Sequence, residues 1–157
     1  MMVFHPETTR QALPPFDITT IVPNDGAVAD YCRFYHLDFD NDFYGLHHSC
    51  GYVDVAGYQI LTHAFIPLAA KGTVWVVHGY LEHSGLYRHI LPQLFQQGYA
   101  VVIYDLPGHG LSTGIKASIG SFTEYQVIFR HLLTMLRDEL PRPWLGLGQS
   151  TGGAILM

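Results

Sequence analysis

The stretch WLGLGQSTGG, residues 144–153, places a serine between two glycines that stand two positions before it and two positions after it. Its apolar first half is typical of a buried strand, and the small and apolar residues after Ser150 favour the start of a helix. A strand-to-helix turn this sharp brings the backbones of Gly148 and Gly152 close together, where only small side chains fit. The stretch therefore predicts a turn that presents the Ser150 hydroxyl at the carboxyl end of a sheet.

More strands precede this stretch. Residues 73–77 and 99–104 are continuous β-branched and aromatic runs without polar alternation, which indicates strands buried on both faces, as in a parallel sheet. Further upstream, residues 48–55 and 58–65 predict the two strands of a β-hairpin joined by a short turn. With residues 144–147, the chain supplies a hairpin followed by three buried strands.

Helical patterns separate the buried strands. We expect one helix to begin near Leu91, with Pro92 in its first turn. A longer helix is expected after Ser121, which forms a capping box with Glu124. Alternating strands and helices produce a parallel sheet covered on both faces. The predicted fold class is therefore α/β, with an antiparallel hairpin leading into a mostly parallel sheet that has helices on both faces.

The first 46 residues carry no motif that indicates a function. Residues 1–26 are rich in proline, threonine and aspartate and predict an extended lead-in, whereas the apolar spacing from Ala27 onward predicts a short helix. The acidic residues between 38 and 42 predict a solvated loop. We therefore divide the chain into an N-terminal extension, residues 1–46, and an α/β domain, residues 47–157.

Composition limits the classes of function. The chain has 157 residues, 48% hydrophobic and 13% charged, with a net charge of -5 and no basic run, so we expect a folded protein that binds no nucleic acid. Its apolar stretches are shorter than the roughly 18 residues that span a bilayer, and it begins with no secretory signal pattern. We expect a cytoplasmic protein without a transmembrane segment, and contact with a membrane surface is compatible with the sequence. Cys32 and Cys50 predict two reduced thiols.

Two glycine-containing loops follow the first two predicted parallel strands. HGYLEHS occupies residues 78–84, and DLPGHGLS occupies residues 105–112. Because parallel strands end at the same edge of a sheet, we expect both loops beside Ser150. His109 has no second ligand at metal spacing, so shaping of its loop is the favoured role for this residue. No metal site and no cofactor are predicted.

These two loops, together with GQSTGG at residues 148–153, resemble the successive signatures of α/β-hydrolases. More narrowly, the HGYLEHS loop resembles the branch that holds monoacylglycerol lipases, lysophospholipase-like enzymes and serine aminopeptidase-type hydrolases, and the likeness covers residues 47–157. It implies the N-terminal half of an α/β-hydrolase fold. It also implies Ser150 in a nucleophile elbow as the catalytic nucleophile, with the backbone N–H groups of Tyr80 and Thr151 as the oxyanion hole.

Some features depart from the pattern of this branch. Gln149 and Thr151 flank the serine where the branch commonly has histidine and methionine, and Leu86 stands where an arginine is frequent. These differences leave the catalytic groups in place but weaken inference about the substrate. No histidine, aspartate or glutamate follows Ser150, although the fold orders its triad as serine, acid and histidine. We therefore expect the acid and the histidine after residue 157, and we expect residues 1–157 alone to be inactive.

The leading hypothesis for the intact protein is a serine esterase that acts on small-molecule acyl esters or lipids. It would be a lysophospholipase or a monoacylglycerol lipase-like enzyme that works through an acyl-enzyme at Ser150. A serine aminopeptidase or another acyl-transfer enzyme on the same scaffold is the first alternative, and a non-catalytic hydrolase-like module is the second. Hydrolase-fold dehalogenases are disfavoured because their nucleophile is an aspartate. The sequence predicts no oligomeric state, acyl-chain length or head group.

Overall fold

Five strands form one sheet in the computed structural model, which describes residues 3–157. The strands are β1 (His47–Val55), β2 (Tyr58–Ile66), β3 (Gly72–Val77), β4 (Tyr99–Tyr104) and β5 (Trp144–Gly148). The α-helices are α1 (Pro6–Ala12), α2 (Ala27–Phe34), α3 (Leu91–Gln96), α4 (Phe122–Met135) and α5 (Thr151–Leu156). Each predicted strand is present within one residue of its expected bounds. The expected burial of residues 144–147 is wrong, because β5 is an edge strand of the sheet and none of its residues is buried.

The predicted hairpin is the β1–β2 pair. The two strands pair antiparallel from His47 with Ile66 to Val55 with Tyr58. The two residues between the strands both have positive φ, 53° at the alanine and 80° at Gly57. Two positive φ values in a two-residue loop match the right-handed twist of the strands, so the turn closes the hairpin without splaying it.

The sheet order is β1-β2-β4-β3-β5, so β3 lies second from one edge and pairs in parallel with β4 on one side and with β5 on the other. All six residues of β3 are buried. Val74 and Val76 belong to the cluster on one face, and Trp75 and Val77 belong to the cluster on the opposite face. A strand covered on both faces needs apolar side chains at successive positions, which explains its continuous apolar run.

Helices cover both faces of the sheet. Tyr31 of α2 and Phe95 of α3 pack into the cluster on one face. Ile128 and Leu132 of α4, with Ile155 of α5, pack into the cluster on the other face. The α/β architecture is thereby confirmed, and the strands that carry the glycine-containing loops lie side by side at its centre.

The N-terminal extension differs in part from its prediction. Residues 6–12 form α1, where an extended lead-in was predicted, and residues 1–2 of that lead-in lie outside the described residues. Pro6 stands in the first turn, and a 3.1 Å ion pair between Glu7 and Arg10 links successive turns. A helix of seven residues is too short to show an apolar period, which is why the sequence pattern missed it.

Residues 13–17, directly after α1, are extended, as predicted, and they protect the edge of the sheet, whereas residues 18–20 form a turn. The Phe16 N–H donates to the Tyr52 carbonyl at 2.8 Å, and the Tyr52 N–H donates to the Pro14 carbonyl at 2.9 Å. These bonds occupy the outer side of β1, which would otherwise expose unpaired backbone groups. The predicted helix from Ala27 is also confirmed, because α2 begins at that residue.

Two histidines of the hairpin are buried and contact each other. His48 Nε2 and His63 Nδ1 lie 2.9 Å apart, and the two residues are 7% and 0% exposed. Burial lowers the pKa of His63 to about 4, and it lowers the pKa of His48 well below its usual value. Both rings are therefore neutral near pH 7 and share one N–H···N bond, and protonation of either ring would place a charge inside the core.

This buried pair predicts that the fold loses stability in acid. In the unfolded chain a histidine has a pKa near 6.5, whereas folded His63 has a pKa of about 4. Between these two pH values the unfolded chain therefore binds a proton that the folded chain does not bind, which favours unfolding. The contribution of neutral His63 to the free energy of unfolding is fully present above pH 6.5. It falls by about 3 kcal/mol as the pH is lowered to 4. Urea unfolding at pH 7 and pH 4 measures this loss. We expect His63→Gln to show a smaller loss and the exposed control His131→Gln to match wild type. Equal losses in all three proteins would contradict the prediction.

Candidate active site

The structure brings the three sequence-predicted loops together at the carboxyl ends of β3, β4 and β5. The first loop, residues 78–84, meets the second loop, residues 105–112, where the Leu106 N–H donates to His78 Nε2 at 2.9 Å. The first loop also approaches the turn after β5, because a methyl group at Gly79 would lie 3.1 Å from the Gln149 carbonyl oxygen. The sequence correctly predicted that all three would lie at one edge of the sheet.

Ser150 occupies the turn between β5 and α5 in a rarely used backbone conformation. Its φ is 51° and its ψ is -114°, and the residue is exposed. A non-glycine residue with positive φ costs free energy and persists only where its surroundings impose it. Here the Gln149 N–H donates to the Val77 carbonyl at 3.1 Å, and the Gly152 N–H donates to the Gln149 carbonyl at 2.8 Å. These bonds hold the turn against the end of β3 and leave the Ser150 side chain on the outside.

Two glycines make this turn sterically feasible. A methyl group at Gly152 would lie 1.9 Å from the Val77 carbonyl oxygen, and one at Gly148 would lie 2.5 Å from the Gly153 nitrogen. Both distances are far below van der Waals contact, and the opposing atoms belong to the backbone. The close approach that the sequence predicted for Gly148 and Gly152 is therefore present in the structure.

The backbone N–H groups of Tyr80 and Thr151 lie on the two segments that meet at this turn. Within residues 3–157, neither group donates a hydrogen bond to a protein acceptor. Tyr80 follows Gly79 in the first loop, and Thr151 is the first residue of α5. Two such donors on facing segments are available to an oxygen atom placed between them.

His78 connects the first loop to the second loop through its buried side chain. Its side chain is fully buried, its Nδ1 lies 2.8 Å from the Gly79 carbonyl oxygen, and its Nε2 accepts the Leu106 N–H. Burial is the main cause that lowers the pKa of His78. Both ring nitrogens have backbone partners, so this neutral ring joins the first two loops and has no free nitrogen to accept a proton from Ser150.

Glu82 organises the first loop, a role that sequence reasoning did not assign to it. Its Oε2 accepts hydrogen bonds from the Tyr87 hydroxyl at 2.7 Å and from the Gly79 N–H at 2.8 Å. The Tyr87 hydroxyl, followed by the Gly79 N–H, lowers the pKa of the Glu82 carboxyl. The ionised carboxylate therefore holds the backbone of Gly79, the residue just before Tyr80.

Asp105 is the second residue whose role the sequence did not reveal. Its fully buried carboxylate accepts the Ser84 N–H at 2.7 Å through Oδ1 and the Leu111 N–H at 3.0 Å through Oδ2. One side chain therefore ties the first loop to the second. The signal was present in the sequence as the aspartate that directly follows β4, but its partners lie on residues distant along the chain.

His109 lies beside these groups in the second loop. Its Nδ1 is 2.9 Å from the Pro107 carbonyl oxygen, and its ring centre is 5.7 Å from that of Tyr80. Between residues 3 and 157, no group of three or more His, Cys, Asp or Glu side chains is arranged to hold a metal ion. Across the same residues, no helix is both long and apolar enough to cross a membrane.

Apolar side chains line a groove that reaches the two residues before Ser150. A groove of about 290 Å³ beside the turn is lined by Leu86, Ile90 and Leu147, together with Gln149 and Glu82. Leu86 and Ile90 are 53% and 37% exposed. The groove can therefore hold an apolar group next to Gly148 and Gln149, the two residues that precede Ser150.

The sheet order, the strand–turn–helix around Ser150 and the two loops define an α/β-hydrolase fold. The chain superposes on a CIB-like hydrolase from Thermoplasma acidophilum with a TM-score of 0.59, over 71% of this chain and 55% of that one. The two share 20% sequence identity, so this likeness concerns the fold alone.

Residues 69–157, more than half of the chain, match the protein family described as "Serine aminopeptidase, S33". The chain belongs to this family of α/β-hydrolases.

Two curated relatives are named for ester hydrolysis. The chain is 32% identical over 107 residues to the monoacylglycerol lipase of Mycolicibacterium smegmatis, a match that covers 67% of this chain and 38% of that protein. It is 30% identical over 119 residues to the caffeoylshikimate esterase of Arabidopsis thaliana, covering 72% of this chain and 36% of that protein. The chain thus spans less than two fifths of the length of each of these relatives and resembles their lipase or esterase sequences over that part.

Proposed function

We propose that the whole protein is a serine esterase that hydrolyses lipid-like carboxylic esters, such as monoacylglycerols and lysophospholipids, through an acyl-enzyme at Ser150. The observation that carries this proposal is the positive φ of Ser150 at a turn pressed against the end of β3. Backbone strain that its surroundings enforce is typical of functional sites. The relatives named as a lipase and an esterase support ester hydrolysis in particular.

In this mechanism the Ser150 oxygen attacks the ester carbonyl carbon while a base accepts the hydroxyl proton. The carbonyl oxygen becomes negatively charged, and the N–H groups of Tyr80 and Thr151 stabilise it in the tetrahedral intermediate. The C–O bond of the ester then breaks, and the alcohol leaves with the proton that the base held. Water repeats the sequence on the acyl-enzyme, releasing the acid and restoring the serine.

The base and the acid of the triad are proposed to lie outside residues 1–157. No histidine, aspartate or glutamate follows Ser150 in this sequence, and His78 uses both ring nitrogens for backbone contacts. A serine hydroxyl without an adjacent base is a weak nucleophile. Residues 1–157 by themselves are therefore expected to bind an acyl group without turning it over.

The apolar groove supports a lipid-like substrate. Leu86, Ile90 and Leu147 line it, and each methylene of an acyl chain buried there would contribute about 0.8 kcal/mol to binding. Leu86 stands where the branch frequently has arginine, so this chain presents an apolar side chain at a position that is often charged. A serine aminopeptidase is the second candidate because the matching family carries that description.

Hydrolysis of matched substrates by the whole protein tests these alternatives. The panel contains a monoacylglycerol, a lysophosphatidylcholine, a caffeoyl ester and an aminoacyl-p-nitroanilide. We expect kcat/KM to be at least about tenfold higher for the first two, because only these place a long acyl chain in the apolar groove. Preference for the anilide would favour the aminopeptidase. A fluorophosphonate probe is expected to modify the Ser150 peptide, and absence of both labelling and turnover would favour a non-catalytic module.

A further inference from the structure

The N-terminal extension reaches the candidate active site, although it lies outside the residues that match the family. Arg10 of α1 donates from Nε to the Leu111 carbonyl at 3.2 Å and from Nη2 to the Gly110 carbonyl at 3.1 Å. Both carbonyls belong to the second loop, about a hundred positions later in the chain. The third nitrogen, Nη1, donates to the Glu7 carboxylate at 3.1 Å, which fixes the orientation of the guanidinium.

The following helix, α2, contacts the end of the first loop. The ring centres of Tyr35, the residue that caps α2, and His83 lie 4.8 Å apart at an angle of 74°, an edge-to-face contact. A methyl group at Gly85 would lie 2.6 Å from Tyr35 Cγ, so the loop backbone touches the tyrosine ring directly. The Tyr31 hydroxyl lies 3.3 Å from Ser84 Oγ in the same region.

The contacts of Arg10 and Tyr31 involve the same two loop residues that Asp105 holds. Asp105 accepts the N–H groups of Ser84 and Leu111, and the extension contacts the same two residues. The Leu111 carbonyl is held by Arg10, and Ser84 is held against Tyr31. The extension and the Asp105 carboxylate therefore hold the same two loop positions.

We propose that residues 6–35, here named the strap, position the candidate active site through the contacts of Arg10, Tyr31 and Tyr35, with Arg10 as the principal positioning residue. The catalytic part of this inference rests on the proposed function. By holding residues 110–111 and 83–85, the strap limits the motion of the first loop and keeps the Tyr80 N–H directed toward the position of the oxyanion. An oxyanion donor is effective only within about 2.7–3.1 Å of that oxygen, so small loop displacements lower kcat.

Amide hydrogen exchange in the whole protein tests the strap without depending on catalysis. Arg10→Ala removes two charge-assisted hydrogen bonds to the second loop, and we expect amides of residues 105–112 and 78–85 to exchange about tenfold faster. The matched control is Arg33→Ala in α2. Arg33 also pairs with an acid three residues earlier, and its side chain is 35% exposed against 36% for Arg10. Its remaining hydrogen bond goes to the Asn24 carbonyl, inside the extension.

Equal exchange rates of both loops in wild type, Arg10→Ala and Arg33→Ala would contradict the strap.

Turnover per active site, with active sites counted by fluorophosphonate labelling, is the second measurement. A residue that only stabilises the fold changes the amount of folded protein and not its kcat. We expect Arg10→Ala to lower kcat about tenfold with KM nearly unchanged, Arg10→Lys to recover part of it, and Arg33→Ala to match wild type. If the loops exchange faster in Arg10→Ala than in wild type, but wild type hydrolyses no ester, the proposed function is rejected and the strap is supported. If wild type hydrolyses esters, but Arg10→Ala has the loop exchange and the kcat of wild type, the proposed function is supported and the strap is rejected.

Discussion

Ser150→Ala is expected to lower kcat for ester hydrolysis by the whole protein by about 10⁶-fold. Removal of the hydroxyl leaves no atom that can form the acyl-enzyme, and the residual rate would come from substrate binding and the backbone donors of Tyr80 and Thr151. Steady-state hydrolysis of a monoacylglycerol, with the variant purified from a host free of background esterase, measures the change. Labelling by a fluorophosphonate should disappear in the same variant.

The fold itself should tolerate this substitution. Ser150 is exposed, and alanine has no greater difficulty than serine at its positive φ, so the free energy of unfolding should change by less than about 0.5 kcal/mol. Ser118→Ala, at another exposed serine, provides the matched control and should keep wild-type kcat. If Ser150→Ala retained more than about a hundredth of the wild-type kcat, another group would have to be the nucleophile.

Gly152→Ala is expected to destabilise the fold by about 3 kcal/mol or more. The added methyl would lie 1.9 Å from the Val77 carbonyl oxygen and 2.7 Å from the His78 carbonyl oxygen. Both oxygens belong to the backbone at the end of β3, so neither can rotate away as a flexible side chain could. Relief requires α5 to move away from β3, which would also carry the Thr151 N–H away from the first loop. Urea unfolding of the variant measures the loss.

Gly153→Ala is the matched control for this steric argument. It is the next residue of the same helix, and its methyl would lie 3.6 Å from the Gly148 carbonyl oxygen, an ordinary van der Waals distance. Alanine is also the better helix former, so Gly153→Ala should leave stability unchanged or raise it by up to about 1 kcal/mol. Equal effects of the two substitutions would show that the close approach at Gly152 does not constrain the turn.

The central sheet was predictable because its signals are local. A strand buried on both faces needs apolar residues in succession, and residues 73–77 and 99–104 have them. The turn at Ser150 was also predictable, because a close backbone approach requires glycine, as Gly148 and Gly152 show. In each case a single short segment contains the physical requirement.

Contacts between distant segments could not be predicted in this way. Arg10 binds carbonyls about a hundred residues away, and because every residue has a backbone carbonyl, such a bond leaves no trace in the sequence of the partner segment. The partners of Asp105 are likewise backbone amides. The sequence did not predict α1 because its seven residues contain no apolar stripe. Arg10 joins this helix to the rest of the fold through hydrogen bonds to distant carbonyls, which no local pattern indicates.

The strand order has a consequence for how a ligand reaches Ser150. After β3 the chain crosses to β4 on one side of it, and after β4 it returns past β3 to place β5 on the other side. The two crossovers therefore leave the sheet in opposite directions, and their loops diverge above the carboxyl end of β3. Such a reversal of direction opens a crevice between neighbouring strands, and open α/β sheets bind their ligands there. The loop that carries Tyr80 and the turn that carries Ser150 follow the two neighbouring strands β3 and β5, so under the proposed function the chain topology alone would place the ligand between these two segments.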